Sequence, residues 1–335
     1  MKHAHRTALR FVAPLLAVTG PLAVFACSSD EARACRVGTD CASGICSEDG
    51  QCVAPGTTSP TGDAATTETT KDGGSELVDA TNIDAALPGC VQNKDGVITR
   101  AEVPLQAGLR ATYRVAKNPV EVSTTAGQPV DGGARRLWDY SGTFGSDQSV
   151  LVETLPLAGK WYAPKFANAT YATRLSESSD LVGVFEVSQG GITLRGVVSP
   201  SDGAKRTELS YAPAPAVLAF PLQVGAKWTT NADISGVAPA TSGGDALTVS
   251  GATESYVAEA DAAGELRTPF GTFEVIRVKT VLVRKLSWFG WPVSNTTIRQ
   301  YAWVTECFGT VATAVSKENE TDEEFRPAEL RRLAP

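Results

Sequence analysis

The chain has 335 residues, with 37 acidic and 30 basic side chains and a formal charge of −7 at neutral pH. Such a balance repels the phosphates of nucleic acids and anionic lipid head groups, so we expect neither as a partner. The only histidines are His3 and His5. If the N-terminus is cleaved off, no Ser-His-Asp triad, Cys-His dyad or histidine-ligated metal site can form.

Residues 1–26 have the features of a secretory signal peptide. Basic side chains come first, at Lys2, Arg6 and Arg10, and an apolar run fills residues 11–26. The run is shorter than the roughly 20 apolar residues that a membrane-spanning helix needs. Loss of these three basic side chains would leave 27 of the 30 against 37 acids, which is a charge of −10.

The signal peptide ends in Val24-Phe25-Ala26-Cys27, which resembles the lipobox of bacterial lipoproteins. The resemblance implies cleavage before Cys27, acylation of Cys27 and attachment to a membrane. Because Ser28 follows rather than aspartate, it also implies the outer membrane of a Gram-negative bacterium. Secretion without a lipid, after ordinary cleavage near Ala26, is the alternative.

Residues 27–52 form a cysteine-rich module with turn-forming glycines between its last four cysteines. These four are Cys35, Cys41, Cys46 and Cys52. In an exported chain this spacing predicts two disulfides in a small loop-rich unit, and three connectivities are possible. The spacing is not that of a zinc site. The segment resembles the short cysteine-rich modules that bacterial lipoproteins carry near their anchor.

The composition changes twice after this module. Residues 53–82 are rich in Thr, Gly, Ala, Asp and Pro and have no aromatic residue, which predicts a flexible linker. Residues 83–317 contain all six tryptophans and form the predicted folded body. Residues 318–335 are charged, with Phe325 as their only aromatic residue, so we expect a frayed tail.

The body is predicted to be all-β and mainly antiparallel, as a half-barrel or a sandwich. Short β-branched runs alternate with Gly, Pro, Asp and Ser clusters, and no long amphipathic helix appears. The predicted strands are residues 149–157, 181–188, 192–199, 247–251, 273–286, 296–304 and 309–315. Gly190-Gly191, between the second and third, is typical of a tight hairpin.

A ten-residue motif occurs twice in the body. Residues 104–113 and 221–230 share proline, leucine, glutamine, glycine and threonine at matching positions. The repeat predicts two similar β units, residues 100–216 and 217–317. The second continues through Gly271-Thr272-Phe273 and Gly309-Thr310-Val311, a progression similar to that of uncharacterised periplasmic β proteins, including half-barrel lipoproteins that shelter acyl chains. A chance match is the alternative.

Cys90 and Cys307 remain once the four cysteines of the module are paired. If Cys27 carries the lipid, the other six of the seven cysteines can all pair. A Cys90–Cys307 disulfide would join the start of the body to its last predicted strand. On the chain-entropy model such a long loop contributes roughly 5 kcal/mol of stability.

Residues 91–102 resemble an EF-hand calcium loop. Asn93, Asp95, the Val97 carbonyl and Glu102 occupy ligand positions, and Gly96 stands at the sharp turn. The first ligand position is Val91, which offers no side-chain oxygen. The resemblance implies a weak calcium site, and a plain Asp-Gly turn is the alternative.

Three aromatic residues, Trp288, Phe289 and Trp291, fall between two predicted strands. Hairpin tips normally face water, so these side chains are expected to plug the open end of the β body, line a ligand entrance or contact a membrane or partner.

These features predict a non-enzymatic, lipid-anchored protein of the cell envelope without a cofactor. Its β body would bind an apolar ligand or an envelope component. A surface-displayed protein-interaction module without a ligand cavity is the main alternative. A hydrolase would have to use carboxylates alone, because histidine, the usual acid–base group near neutral pH, is missing from the mature chain.

Overall fold

The computed structural model describes residues 90–239, 245–288 and 291–335. Predictions that concern residues 1–89 lie outside this part of the chain. No helix among the described residues is long and apolar enough to cross a membrane.

The described residues form strands joined by turns and three short 3₁₀ segments. The strands of the first half are β1 (Val97–Ile98), β2 (Arg110–Lys117), β3 (Gln128–Val130), β4 (Arg135–Asp139), β5 (Gln148–Glu153), β6 (Tyr171–Ser176), β7 (Ser179–Ser188), β8 (Gly191–Val198), β9 (Glu208–Ala212) and β10 (Ala216–Ala219). Those of the second half are β11 (Leu222–Gln223), β12 (Lys227–Pro239), β13 (Ala246–Arg267), β14 (Thr272–Trp288), β15 (Trp291–Thr305), β16 (Gly309–Val315) and β17 (Glu329–Leu333). The 3₁₀ segments are Arg100–Glu102, Asp131–Gly133 and Ala163–Phe166.

Twelve of these strands follow one another around a nearly closed, barrel-like antiparallel sheet. Their order is β5-β2-β17-β16-β15-β14-β13-β12-β9-β8-β7-β6. The two end strands meet through one antiparallel bridge, in which Leu155 and Ala172 exchange backbone hydrogen bonds of 2.6 and 2.9 Å. The prediction of an all-β, mainly antiparallel fold is confirmed, and the curvature goes further than that of a half-barrel. The exception to antiparallel pairing is β4, which pairs in parallel with β13.

The concave face of the sheet is packed with apolar side chains. Tyr171 on β6 and Ile276 on β14 belong to one buried cluster, and five strands lie between β6 and β14 in the sheet. Other members of the cluster lie on β7, β8, β9, β12 and β13, so it runs continuously along the sheet from β6 to β14. Buried apolar side chains therefore cover the concave face over these seven strands.

Two further cores lie on the convex face, under long connections. Trp303 and Tyr301 of β15 are covered by Trp138 and Tyr140, which precede β5 in the chain. A smaller cluster forms where the segment around Phe166 covers β6, β7 and β8. Alternate residues of one strand thus serve opposite cores, as the two-residue period of a strand requires.

The two copies of the sequence motif adopt the same local structure. Gly108 and Gly225 both have a left-handed backbone, with φ of 92° and 91°. Each donates its N–H to the strand beside it, Gly108 to Thr154 O at 2.6 Å and Gly225 to Ala260 O at 2.8 Å. A ring strand begins two residues later in both copies, β2 in the first and β12 in the second.

The C-terminal residues correct one prediction. Residues 318–335 were expected to be a frayed tail, yet β17 pairs with β16 on one side and β2 on the other. Leu330 and Arg332 are completely buried there. The charge that suggested a tail belongs partly to Arg332, whose guanidinium is buried against Asp147 and the carbonyls of Tyr140 and Gly142. Arginines paired inside a protein cannot be distinguished from solvated ones by composition.

Candidate functional site

The predicted residues of the N-terminal region cannot be placed. Cys27, Cys35, Cys41, Cys46 and Cys52 lie outside the described residues. Their lipidation and pairing stay predictions.

The predicted bond between Cys90 and Cys307 is present as a disulfide. It joins the first described residue to the turn between β15 and β16. The Cys307 N–H also donates to the carbonyl of Glu102 at 2.6 Å. The segment that precedes β2 is thus fastened to one end of the barrel, where its residues Ile98 and Val103 join the inner core.

The EF-hand-like loop closes on itself through its own hydrogen bonds. Asn93 donates from Nδ2 to Glu102 Oε1 at 2.8 Å and accepts the Asp95 N–H at 3.0 Å. Asp95 Oδ1 accepts the N–H of Val97 at 2.8 Å, and Glu102 Oε2 accepts that of Thr99 at 2.7 Å. The predicted ligands are therefore neighbours, but their oxygen atoms already have donors within the loop.

Val91 occupies the position of the first calcium ligand. Val91 is 83% exposed and turned to solvent. The nearly buried Glu306 carboxylate accepts the backbone N–H groups of Asn93 and Lys94 instead. Within the described ranges, no group of three or more His, Cys, Asp or Glu side chains could hold a metal ion. Calcium binding stays a prediction.

The aromatic segment forms the tip of the β14–β15 hairpin. Trp288, the last residue of β14, is the register partner of Trp291, the first of β15. The structure describes only the backbone of these two residues, and Phe289 lies outside the described part. Whether the tip plugs the barrel or contacts a ligand or partner stays a prediction.

A buried polar cluster on the concave face was not predicted from the sequence. Glu254 of β13 is opposite Arg284 of β14, and its carboxylate accepts the Arg284 Nε at 2.6 Å. The Tyr256 hydroxyl donates to the second oxygen at 2.5 Å. Tyr211 of β9 completes the group, which lies toward the end of the barrel that carries the β14–β15 tip.

The environment of this cluster shifts its pKa values strongly. Burial, the neighbouring Tyr211 and the Glu254 carboxylate all raise the pKa of Tyr256, so its phenol stays protonated and donates. Burial lowers the pKa of Arg284 most strongly among the single causes, but the Glu254 carboxylate together with Tyr211 and Tyr256 outweighs burial, and the pKa is raised. The cluster therefore keeps a positively charged guanidinium and a neutral hydroxyl donor over the whole physiological pH range.

Sequence reasoning missed this cluster because its members are ordinary strand residues in the sequence. Glu254 stands in the run Ala252-Thr253-Glu254-Ser255-Tyr256, where nothing marks the glutamate as buried. A strict two-residue alternation from Ala258 would place positions 252, 254 and 256 on the concave face. That alternation was the available signal.

A second polar cluster joins the β6–β7 turn to β17. The Glu329 carboxylate accepts the Ser176 hydroxyl at 2.8 Å and pairs with Arg331 at 2.7 Å. Arg331 also donates to the carbonyl of Leu175 at 2.9 Å, and Lys117 to that of Glu177 at 3.2 Å. These contacts close the interior beside the single bridge that joins β5 and β6.

The strands β12, β13 and β14 border a shallow polar depression of about 230 Å³. Its lining residues are Asn231, Ala232, Asp233, Thr253, Glu254, Ser255, Val283 and Lys285. Most of these side chains face one another directly across the strands. The depression is open to solvent.

Comparisons with protein-family models, with characterised proteins and with solved structures found no match to this chain.

Proposed function

We propose that this chain is a non-enzymatic, lipid-anchored protein of the cell envelope whose β body binds an envelope component through its surface. The packed concave face carries this proposal. Tyr171, Ile276 and the other strand residues of this cluster are buried, and Ile98 and Val103 of the segment before β2 belong to the same cluster, so the protein's own side chains cover the concave face there. Binding is then left to the outside and to the ends of the barrel.

The buried carboxylates support a role without catalysis. Asp261 is held by Arg277 at 2.7 Å, and Glu254 by Arg284 at 2.6 Å. A carboxylate whose oxygens already accept charge-assisted hydrogen bonds is held in place by its donors, which leaves it poorly placed to accept a proton from a ligand.

A second candidate is that the barrel shelters an apolar ligand. The seam between β5 and β6 favours it, since one bridge joins these strands and side-chain contacts close the rest. Strands held so sparsely could separate to admit a ligand to the apolar concave face.

Native mass spectrometry of the full-length chain isolated from cell envelopes distinguishes the two. Binding at the surface predicts a body that carries no lipid beyond the anchor and that is isolated with an envelope component. A lipid or other amphiphile retained inside the Cys27→Ser form, which has no anchor of its own, would replace this proposal with the second candidate.

The anchor itself is tested by fractionation. The unchanged chain is expected in the membrane fraction, and Cys27→Ser in the soluble fraction, because the substitution removes the only proposed acylation site. A Cys27→Ser chain that stays with the membranes would exclude the lipid anchor.

A further inference from the structure

The guanidinium of Arg284 uses few of its hydrogen-bond donors within the described part of the chain. Its Nε donates to Glu254 Oε1 at 2.6 Å. Among the described residues, its two terminal nitrogens have no hydrogen-bond partner. The side chain is 46% exposed although the carboxylate it meets is completely buried.

Arg277 on the convex face shows what a purely structural arginine looks like in this fold. Its Nε and one terminal nitrogen bind both oxygens of Asp261, at 2.9 and 2.7 Å. The other terminal nitrogen donates to the carbonyl of Thr125 at 2.5 Å, and the guanidinium lies over the ring of Tyr301. Every nitrogen has a partner, and the side chain is nearly buried.

Glu254 fixes the position of the Arg284 guanidinium but leaves its terminal nitrogens without hydrogen-bond partners among the described residues. The carboxylate of Glu254 accepts a hydrogen bond from the Tyr256 hydroxyl, so the group that binds the guanidinium is itself fixed in position. A fixed guanidinium with two free terminal N–H groups matches the two oxygens of a carboxylate or phosphate. A group fixed before binding also loses little side-chain entropy on binding.

We propose that Arg284 binds a carboxylate or phosphate group of a ligand through its two terminal nitrogens. Glu254 and Tyr256 are positioning residues that hold the guanidinium toward the end of the barrel that carries the β14–β15 tip. Leu286, two residues along β14, packs against the inner apolar core, so the site accepts an anion that is attached to an apolar group. The site does not rest on the proposed function, because a small anion would bind whether the rest of the ligand lies inside or outside the barrel.

The test is an NMR titration of the full chain labelled with ¹⁵N in its arginines. Sodium acetate and sodium phosphate are the two probes, in separate titrations, with sodium chloride at matched ionic strength as the reference. Acetate is expected to shift the Arg284 Nε resonance in a saturable way if the site takes carboxylates, and phosphate if it takes phosphates. Saturation by either anion supports the site and identifies the preferred class.

Two substitutions and a matched control sharpen the result. Arg284→Lys keeps the charge but loses the planar pair of donors, so the affinity read from backbone amide shifts nearby is expected to fall about tenfold. Arg284→Gln should abolish saturation. Arg195→Gln is the control, because Arg195 is similarly exposed and meets one carboxylate, Glu186, at 3.5 Å.

The site is overturned if the Arg284 resonance moves no more than that of Arg195, or if Arg284→Gln binds the anion as the unchanged chain does. Folding of the variants is checked by thermal unfolding, so that a loss of binding is counted only in a folded protein. If Arg284→Gln does not fold, Arg284→Lys and the titration of the unchanged chain still decide the outcome.

Discussion

Arginine side chains meet buried carboxylates in two ways in this protein. Arg277 and Arg332 fasten covering segments to the convex face, Arg277 through Asp261 and Thr125 and Arg332 through Asp147. Arg284 instead meets Glu254 on the concave face and stays half-exposed. Packing alone explains Arg277 and Arg332. Arg284 still has terminal N–H donors that could bind a ligand.

Asp261→Asn is expected to destabilise the fold by about 3–5 kcal/mol, because it leaves the buried Arg277 guanidinium without its counter-charge. Urea unfolding followed by tryptophan fluorescence measures the change. Glu274→Gln is the control, since Glu274 pairs with Arg135 at the surface, where an ion pair contributes about 1 kcal/mol or less. Equal effects of the two substitutions would contradict the structural role of Arg277.

The tyrosines make the protein sensitive to alkali. Burial raises the pKa of all seven, and these are Tyr113, Tyr140, Tyr162, Tyr171, Tyr211, Tyr256 and Tyr301. Tyr113, whose hydroxyl donates to Thr310 O at 2.8 Å, is raised to about 12. A phenol with a raised folded pKa stabilises the fold fully below its unfolded value near 10 and loses that contribution as pH rises toward the folded value.

The stability of the protein is therefore expected to fall above pH 10, with Tyr113 alone accounting for about 2 kcal/mol by pH 12. A spectrophotometric titration at 295 nm should show no tyrosinate step near pH 10 and one cooperative step on unfolding. Tyr113→Phe should flatten the pH dependence of the free energy of unfolding above pH 10. A gradual ionisation near pH 10 in the folded protein would refute the prediction.

At the scale of elements, strands that are rich in β-branched residues could be predicted from the sequence. Strands that form only because a neighbouring strand pairs with them could not. The run 309–315 is confirmed at both ends, and the hairpin at Gly190-Gly191 joins β7 to β8 as expected. Most of β13 was missed, because Ala246–Arg267 is rich in Ala, Gly, Glu and Asp, which have low strand propensity. β13 is a strand because it pairs with the long strands β12 and β14, and nothing in its own sequence indicates these partners.

Substitution of the glycine in each copy of the motif tests whether the two copies are structurally equivalent. Gly108→Ala and Gly225→Ala are each expected to cost about 1–2 kcal/mol, because a left-handed backbone disfavours a Cβ atom. An added Cβ would meet nothing within 4 Å at either position, so the backbone alone sets the cost. Gly142→Ala is the control, since its site is equally open and its φ lies outside the left-handed region. Thermal unfolding that responds to one glycine and not to the other would show that the copies are not equivalent.

At the scale of the whole barrel, the chain runs around the ring in sequence order. The first motif precedes β2, β5, β6, β7, β8 and β9, and the second precedes β12 to β17, so each copy is followed by six ring strands. This arrangement supports a duplication, which the motif alone left open. The ring is completed where its last strand in the chain, β17, pairs with its first, β2. The sequence did not predict this closure, because both partners depend on contacts between residues about 200 positions apart.

Deletion of residues 329–335 is therefore expected to prevent folding, whereas a frayed tail would be dispensable. The deletion removes β17 from between β16 and β2, exposes the ladder groups of both and takes away the buried Leu330 and Arg332. It also releases Asp147 and the carbonyl of Tyr140, which Arg332 holds. Circular dichroism on heating should show no cooperative transition in the truncated chain, while deletion of the exposed Pro335 alone should leave the transition unchanged. A sharp transition at the original temperature in the truncated chain would mean that the barrel is stable without its last strand, and that the inner core rather than ring closure holds the sheet together.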